Sequence, residues 1–226
     1  MDFEAWEPIY ERILRDFGYD RGADIRARDV LAGYVEPFDL TRLDVSGQTV
    51  AIAGGSPGLD SEIEVARDAD AVFAASTAAD LLEAAGVMVD ALVTDLDKNP
   101  ETARERTDRG APVVVHAHGD NITAIRRHLP EYDVDHVLGT TQAAPAHPVR
   151  NFGGFTDGDR AAFLADHLGA DSLTFPGWDF DDRSVSREKA MKLAWAERLL
   201  LLLEDRREET FDILDGRRDD RDVDGG

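Results

Sequence analysis

The sequence predicts an α/β protein with an open, mostly parallel sheet, helices on both of its faces and an N-terminal helical extension. Three observations carry this expectation. Strand-like apolar runs alternate with helix-length segments from residue 49 onward, the pattern of successive β-α units. Polar clusters fall where strands are expected to end, at Gly54-Gly55-Ser56-Pro57, Asp95-Leu-Asp97, His116-Ala-His118-Gly-Asp120-Asn121 and Thr156-Asp157-Gly-Asp159. Carboxyl ends of parallel strands are where open α/β sheets bind ligands. Residues 2–17 carry an apolar stripe of helical period.

That stripe is Phe3, Trp6, Ile9, Tyr10, Ile13, Leu14 and Phe17, and it predicts a helix over 2–17. A second helix is expected over Asp24 to Tyr34, with a break at Pro37. Together they form an N-terminal helical segment, a layer assigned to 1–44. The α/β catalytic domain is assigned to 45–204. In it, Thr49 to Ala53 reads as the first strand and Leu59 to Asp68 as its helix. Ala71 to Ala75 is the second strand, followed by a helix over Ala78 to Ala85. Ala91 to Thr94 is the third, and Pro100 to Asp108 the next helix, with proline in the first turn where no N–H is needed. Val113 to Val115 is the fourth strand, Ile122 to Leu129 a helix, and Val134 to Leu138 the fifth strand. Then come a helix over Asp159 to Leu168, a short strand over Leu173 to Phe175, and a long helix over Ser186 to Leu203. Residues 205–226 are almost all charged or glycine and are assigned to an acidic, partly disordered tail, with disorder expected over about the last ten.

Composition narrows the function. The chain has 226 residues, 42% of them hydrophobic, enough for one large domain with a small extension. No apolar run approaches the ~20 residues that a bilayer-spanning helix needs. The acidic start, Met1-Asp2-Phe3-Glu4, lacks a signal-peptide pattern, and a cytoplasmic protein is expected. The absence of cysteine excludes disulfides, thiolate metal sites and cysteine nucleophiles. With 47 acidic against 25 basic residues the net charge is -22, a surface that repels nucleic acid and anionic membranes. Aspartate outnumbers glutamate and arginine carries nearly all the positive charge, a halophilic pattern. In high salt the self-repulsion is screened, since the Debye length falls to about 3 Å at 1 M. The only lysines are Lys98, Lys189 and Lys192, and in a chain that avoids lysine each is expected to have a function. A homodimer is compatible with this composition.

The motifs point to a phosphate chemistry. Asp95 and Asp97 end an apolar strand. Alternate strand residues share a face, so the two carboxylates are expected to converge on a hard divalent cation, Mg²⁺ with a phosphate substrate; the bland alternative is a capping or solvated turn. Gly54, Gly55 and Ser56 join a strand to its helix, where glycines let N–H groups approach a phosphate, or simply make a tight turn. His118, Asp120 and Asn121 are candidates for hydrogen bonds to substrate, with helix capping as the alternative for Asp120 and Asn121. Thr140, Thr141 and Gln142 offer polar groups to a small heterocycle, or line a loop. Asp157 is a candidate third metal ligand or an N-cap. Arg160 sits unfavourably in a first helical turn, which hints at a phosphate contact. Trp178 and Phe180 either stack on a planar ring or belong to the core. Lys189 and Lys192, at i and i+3, face the same way and can reach phosphates, or lie on a solvated face.

As a set, the Gly-rich turn, Val-Thr-Asp95-Leu-Asp97, His116-Ala-His118-Gly-Asp120-Asn121, Gly-Phe155-Thr-Asp157-Gly-Asp-Arg160 and Lys189-Ala-Met-Lys192 resemble the archaeal 6-hydroxymethyl-7,8-dihydropterin pyrophosphokinase family. The likeness covers about residues 45 to 204 and extends in motif to the thiamine pyrophosphokinase catalytic domain. One departure is Lys98, where the family pattern has glycine. The resemblance implies transfer of diphosphate from ATP to the hydroxymethyl group of a reduced pterin, giving AMP, in tetrahydromethanopterin- or folate-type pterin biosynthesis. It implies Mg²⁺ on Asp95 and Asp97, with Asp157 or Asp120 as a further ligand. Gly54, Gly55 and Ser56 are then near nucleotide or substrate, and Lys189, Lys192 and Arg160 neutralise phosphate charge. The alternatives are a thiamine pyrophosphokinase-like enzyme, a haloacid-dehalogenase-like phosphatase, a nucleotide-sugar transferase, and a non-catalytic metal- or nucleotide-binding α/β protein.

Overall fold

The computed structural model describes residues 1–218. Its sheet has six strands, all parallel: β1 (Thr49–Ala53), β2 (Ala71–Ala75), β3 (Ala91–Thr94), β4 (Val113–Ala117), β5 (Val137–Thr141) and β6 (Ser172–Thr174). Their order is β5-β4-β3-β2-β1-β6. Strands covered on both faces read as continuous apolar runs, and β2, Ala-Val-Phe-Ala-Ala, is buried at every position. Side chains still alternate between faces. Val50, Ile52, Ala71 and Phe73 enter one core, and Ala51, Ala53, Val72 and Ala74 the other.

Among the described residues eight α-helices cover the two faces: α1 (Phe3–Phe17), α2 (Arg21–Ala32), α3 (Ile63–Asp68), α4 (Ala78–Ala84), α5 (Pro100–Asp108), α6 (Ile122–His128), α7 (Asp157–His167) and α8 (Arg187–Arg207). The first core is closed by α1, α7 and α8, and the second by α2 to α6. The N-terminal helices therefore do not form a layer of their own. Trp6, Tyr10 and Ile13 of α1 pack on one face, while Ala27 and Leu31 of α2 pack on the other. The crossing is made at Gly18, which ends α1 at φ 68°, a left-handed conformation that glycine adopts without steric cost.

Several boundaries shift from the sequence expectation. The expected strand over Val134 to Leu138 begins instead as a 3₁₀ turn, Val134–His136, because the Asp133 carboxylate accepts from the Asp135 N–H at 3.2 Å and folds the chain locally. The strand itself runs on to Thr141, pairing Thr140 and Thr141 with His116 and Ala117. The helix expected from Leu59 splits into a 3₁₀ turn, Pro57–Ser61, and α3. α7 starts two residues earlier than expected, at Asp157, and α8 runs four further, to Arg207. Beyond α8, Phe211 and Leu214 are buried, and Arg218 pairs with the buried Glu204 at 2.7 Å. The disorder expected at the C-terminus falls mainly on residues 219–226, outside the described residues. Among the described residues no helix is long and apolar enough to cross a membrane.

Candidate active site

A cleft of about 590 Å³ runs along the C-terminal edge of the sheet and takes residues from the ends of all six strands. The chain leaves β1 towards β2 and returns to the opposite side of β1 as β6, so the winding reverses there. Such a switch point opens a crevice beyond the strand ends.

At that crevice the glycine turn has a packing role. The Gly54 N–H donates to the Pro176 carbonyl at 2.8 Å and the Ser56 N–H to the Gly177 carbonyl at 3.0 Å. A side chain at Gly54 would collide with the Gly177 carbonyl oxygen. Gly54, Gly55 and Ser56 line the cleft, but the N–H groups of Gly54 and Ser56 are committed to the end of β6 rather than free for a phosphate. The Ser56 hydroxyl in turn accepts from the Gly58 N–H at 3.2 Å.

Asp95 and Asp97 do converge, by a route other than strand alternation. β3 ends at Thr94, and Leu96 lies at φ 67°, left-handed and unusual for a bulky residue. Its N–H is held by the Thr94 hydroxyl at 3.0 Å, and the Asp97 N–H donates to Asp95 Oδ1 at 3.1 Å. This tight turn sets the two carboxylates together while Leu96 itself is buried. His118 Nε2 lies 3.3 Å from Asp95 Oδ2. Burial pushes the Asp95 carboxyl up, but the hydrogen bonds with His118 and Asp97 outweigh it and hold the group well below the usual carboxylate range. Asp97 is pushed up to about 6 by burial and by its neighbour Asp95. Asp157, the first residue of α7, is pushed up to about 8 by burial and by Asp95, against the pull of Arg160.

The fit to a metal follows from this set. Among the described residues no three His, Asp or Glu side chains are arranged to hold an ion by themselves. Asp157, the expected further ligand, pairs with Arg160 Nη1 at 3.2 Å. Two crowded carboxylates remain, and Mg²⁺ is commonly held by one or two carboxylates with phosphate oxygens and water filling the other positions. The residues fit a cation that arrives with a phosphate chain.

Positive charge faces the pair. All three lysines line the cleft, Lys98 from the turn after β3 and Lys189 and Lys192 from α8. Lys192 pairs with Glu188 at 3.3 Å, and Glu188 also accepts from the Tyr19 hydroxyl at 3.0 Å. Arg160 is buried and donates through Nη2 to Gln142 Oε1 at 3.1 Å, while its Nε has no protein partner among the described residues.

His118, Asp120, Gln142 and Trp178 also line the cleft. Trp178 is fixed by its indole N–H to the Ile52 carbonyl at 2.8 Å, and its ring rests on Gly158, where a Cβ would lie 2.6 Å from Cζ2. Phe180 is a core residue. Asn121, Thr140 and Thr141 stand behind the wall. Asn121 ties two strand ends together by donating to the carbonyls of Asp95 at 2.9 Å and His116 at 2.6 Å. The Thr140 hydroxyl donates to the Val115 carbonyl and the Thr141 hydroxyl accepts from the Ala143 N–H. Thr140 and Thr141 are consumed by the fold because β5 extends to Thr141, and Asn121 by the two carbonyls it bridges.

Sequence reasoning missed Ser76, Thr77, Tyr19 and Phe155, all on the cleft. Ser76 and Thr77 were findable, since they directly follow a strand-like run. Tyr19 gave no signal, because it reaches the cleft from the turn between α1 and α2.

Comparison with known proteins places the chain among its relatives. Residues 32–184 match the family described as 6-hydroxymethylpterin diphosphokinase MptE-like. The chain is 38% identical to the 6-hydroxymethyl-7,8-dihydropterin pyrophosphokinase of Methanothermobacter thermautotrophicus, over 90% of this chain and 96% of that protein. It is 32% identical to the protein of that name from Methanocaldococcus jannaschii, over 93% and 99%, and 39% identical to that of Pyrococcus furiosus, over 80% and 79%. With the family span reaching from α2 past β6 and the likeness to these proteins covering most of both chains, the chain belongs to the MptE-like 6-hydroxymethylpterin diphosphokinase family.

Proposed function

We propose that this protein transfers the terminal diphosphate of ATP to the hydroxymethyl group of 6-hydroxymethyl-7,8-dihydropterin, with Mg²⁺ held by Asp95 and Asp97. Its relatives are named pyrophosphokinases, and the chain is an enzyme that transfers diphosphate. The observation that supports the ATP and metal assignment is the charge pattern of the cleft. A crowded carboxylate pair at the end of β3 faces three lysines and Arg160, the combination that a metal-bound phosphate chain requires.

In the reaction the pterin hydroxyl oxygen attacks the β-phosphorus. The bond from that phosphorus to the oxygen bridging it to the α-phosphorus breaks, its electron pair stays on AMP, and the hydroxyl proton is lost to solvent. Bound Mg²⁺ would supply neutralisation of phosphate charge. The protein's own part is placement and charge, which dominate phosphoryl-type transfer. Lys98, Lys189 and Lys192 bind the phosphate oxygens, and Arg160 supplies a buried positive charge at the N-terminus of α7. Trp178 closes the β6 end of the cleft with an aromatic edge suited to a planar ring. The acidic surface is read as an adaptation to high salt.

The test is product analysis after mixing protein, ATP, Mg²⁺ and the pterin alcohol, with thiamine as a competing acceptor. AMP and the pterin diphosphate are expected. ADP as the main nucleotide product overturns the mechanism, and preferred use of thiamine overturns the acceptor.

A further inference from the structure

Gln142 lines the cleft, yet it is gripped by helices that contribute almost nothing else to the wall. Its backbone carbonyl accepts from the indole N–H of Trp6, in α1, at 2.9 Å. Its side-chain Nε2 donates to Asp24 Oδ2, in α2, at 2.8 Å. Asp24 is 3% exposed and does not line the cleft. The same oxygen accepts from the Tyr10 hydroxyl at 2.7 Å, and Asp24 Oδ1 accepts from the Gly119 N–H at 2.7 Å. The approach is close: a Cβ at Gly119 would lie 2.7 Å from the Ala23 Cβ. A buried carboxylate with three donors is thus aimed at one cleft residue and at the loop carrying His118 and Asp120. Both Asp24 and Trp6 precede the family-matched span of 32–184.

We propose that Asp24 is a positioning residue for the diphosphate transfer, acting through the amide of Gln142 on Arg160. A carboxylate only accepts, whereas an amide has one donating and one accepting end. Asp24 therefore takes the NH₂ end of Gln142 and turns Oε1 towards Arg160, whose Nη2 lies 3.1 Å away. The guanidinium is held at that point and at Asp157, 3.2 Å from Nη1. The N-terminal helices are in this way part of the transfer machinery, not only of the core. The role rests on the pterin diphosphokinase reading above.

The experiment is a double-mutant cycle that swaps donor and acceptor. Asp24→Asn presents an NH₂ group to the Gln142 NH₂ group, so the amide must turn over and offer a donor to Arg160. Gln142→Glu sets a second carboxylate against Asp24. Together, the two changes restore the pattern: the asparagine NH₂ donates to the new carboxylate, which also accepts from Arg160. Each single variant should lose roughly 10- to 100-fold in kcat/KM, the scale of a lost hydrogen bond to a charged group. The double variant should recover to within about threefold of wild type, a non-additivity expected only of coupled residues. Single variants that melt at a lower temperature but keep kcat/KM overturn the proposal, as does a double variant that recovers nothing. The cycle is also read on the dissociation constant of α,β-methylene-ATP without pterin. If the wild type makes no pterin diphosphate but the nucleotide affinity follows the same cycle, the acceptor assignment fails and the positioning role stands. No nucleotide binding by the wild type overturns both.

Discussion

At the scale of single residues the decisive feature is the turn that joins Asp95 to Asp97. Leu96 pays a conformational cost there of about 1–2 kcal/mol for a left-handed backbone. Burying its side chain returns about 1.5–3 kcal/mol, so packing outweighs strain and the turn persists. The convergence of the two carboxylates was legible in the sequence, because they stand two residues apart where an apolar strand ends. The turn was not, since nothing in Asp-Leu-Asp announces a left-handed leucine. Asp95→Asn or Asp97→Asn should lower transfer by about 100-fold or more while the circular dichroism spectrum stays unchanged; near-normal turnover in a folded variant would remove the metal assignment. A second expectation concerns pH, with a chelator present. Asp97 titrates near 3.9 when unfolded and at about 6 when folded, so the folded protein binds that proton more tightly. Its contribution to stability is fully present below about pH 4 and is lost as pH rises through about 6. Asp97→Asn escapes the loss. Its melting temperature relative to wild type should climb from pH 4 to 6 and then level off, and a difference that shrinks over that window would contradict the crowding of the two carboxylates.

At the scale of elements, the meeting of α2 with the loop after β4 is the least forgiving junction. Gly119 sits against Ala23, and its N–H is bonded to Asp24. Gly119→Ala must push α2 away or bend the loop, and overpacking of this kind costs about 1–3 kcal/mol. The melting temperature should fall and turnover should fall with it, since His118 and Asp120 flank the same position. An unchanged melting curve would mean that the junction is loose. The strands β1, β2 and β3 were legible to the residue, because short apolar runs bounded by polar turns have one reading. β5 was not: Val134 belongs to the apolar run by composition, but the Asp133 side chain draws it into a turn. That shift moved Thr140 and Thr141 from the cleft into the sheet. Asp24 was illegible for a related reason. It lies among Arg21, Arg26, Arg28 and Asp29, and in such a charged helix one inward carboxylate looks like another solvated one.

At the scale of the whole molecule, the α/β class and parallel sheet followed from the alternation of strands and helices, whereas strand order and the opposite placement of α1 and α2 did not. The long connection from β5 (Val137–Thr141) to β6 (Ser172–Thr174) is the one that carries the chain back across the sheet, but its length alone does not say beside which strand β6 will pair. Charge is the other property of the whole. Exposed arginine–carboxylate pairs such as Arg26–Asp20 add little and weaken with salt. The net charge of -22 opposes folding over the entire surface and is relieved by salt. The second effect should win, and the melting temperature should rise as KCl is raised from about 0.1 to about 2 M, over which the Debye length falls from about 10 Å to below about 3 Å. A flat or falling curve would contradict the halophilic reading. The same scarcity of lysine has a chemical corollary. Apart from its α-amino group, the protein carries its primary amines at Lys98, Lys189 and Lys192, and all three open onto the cleft. An acylating reagent with no affinity for the protein would therefore mark the site and leave the remaining side chains untouched, and a nucleotide seated there would shield every one of its side-chain targets at once.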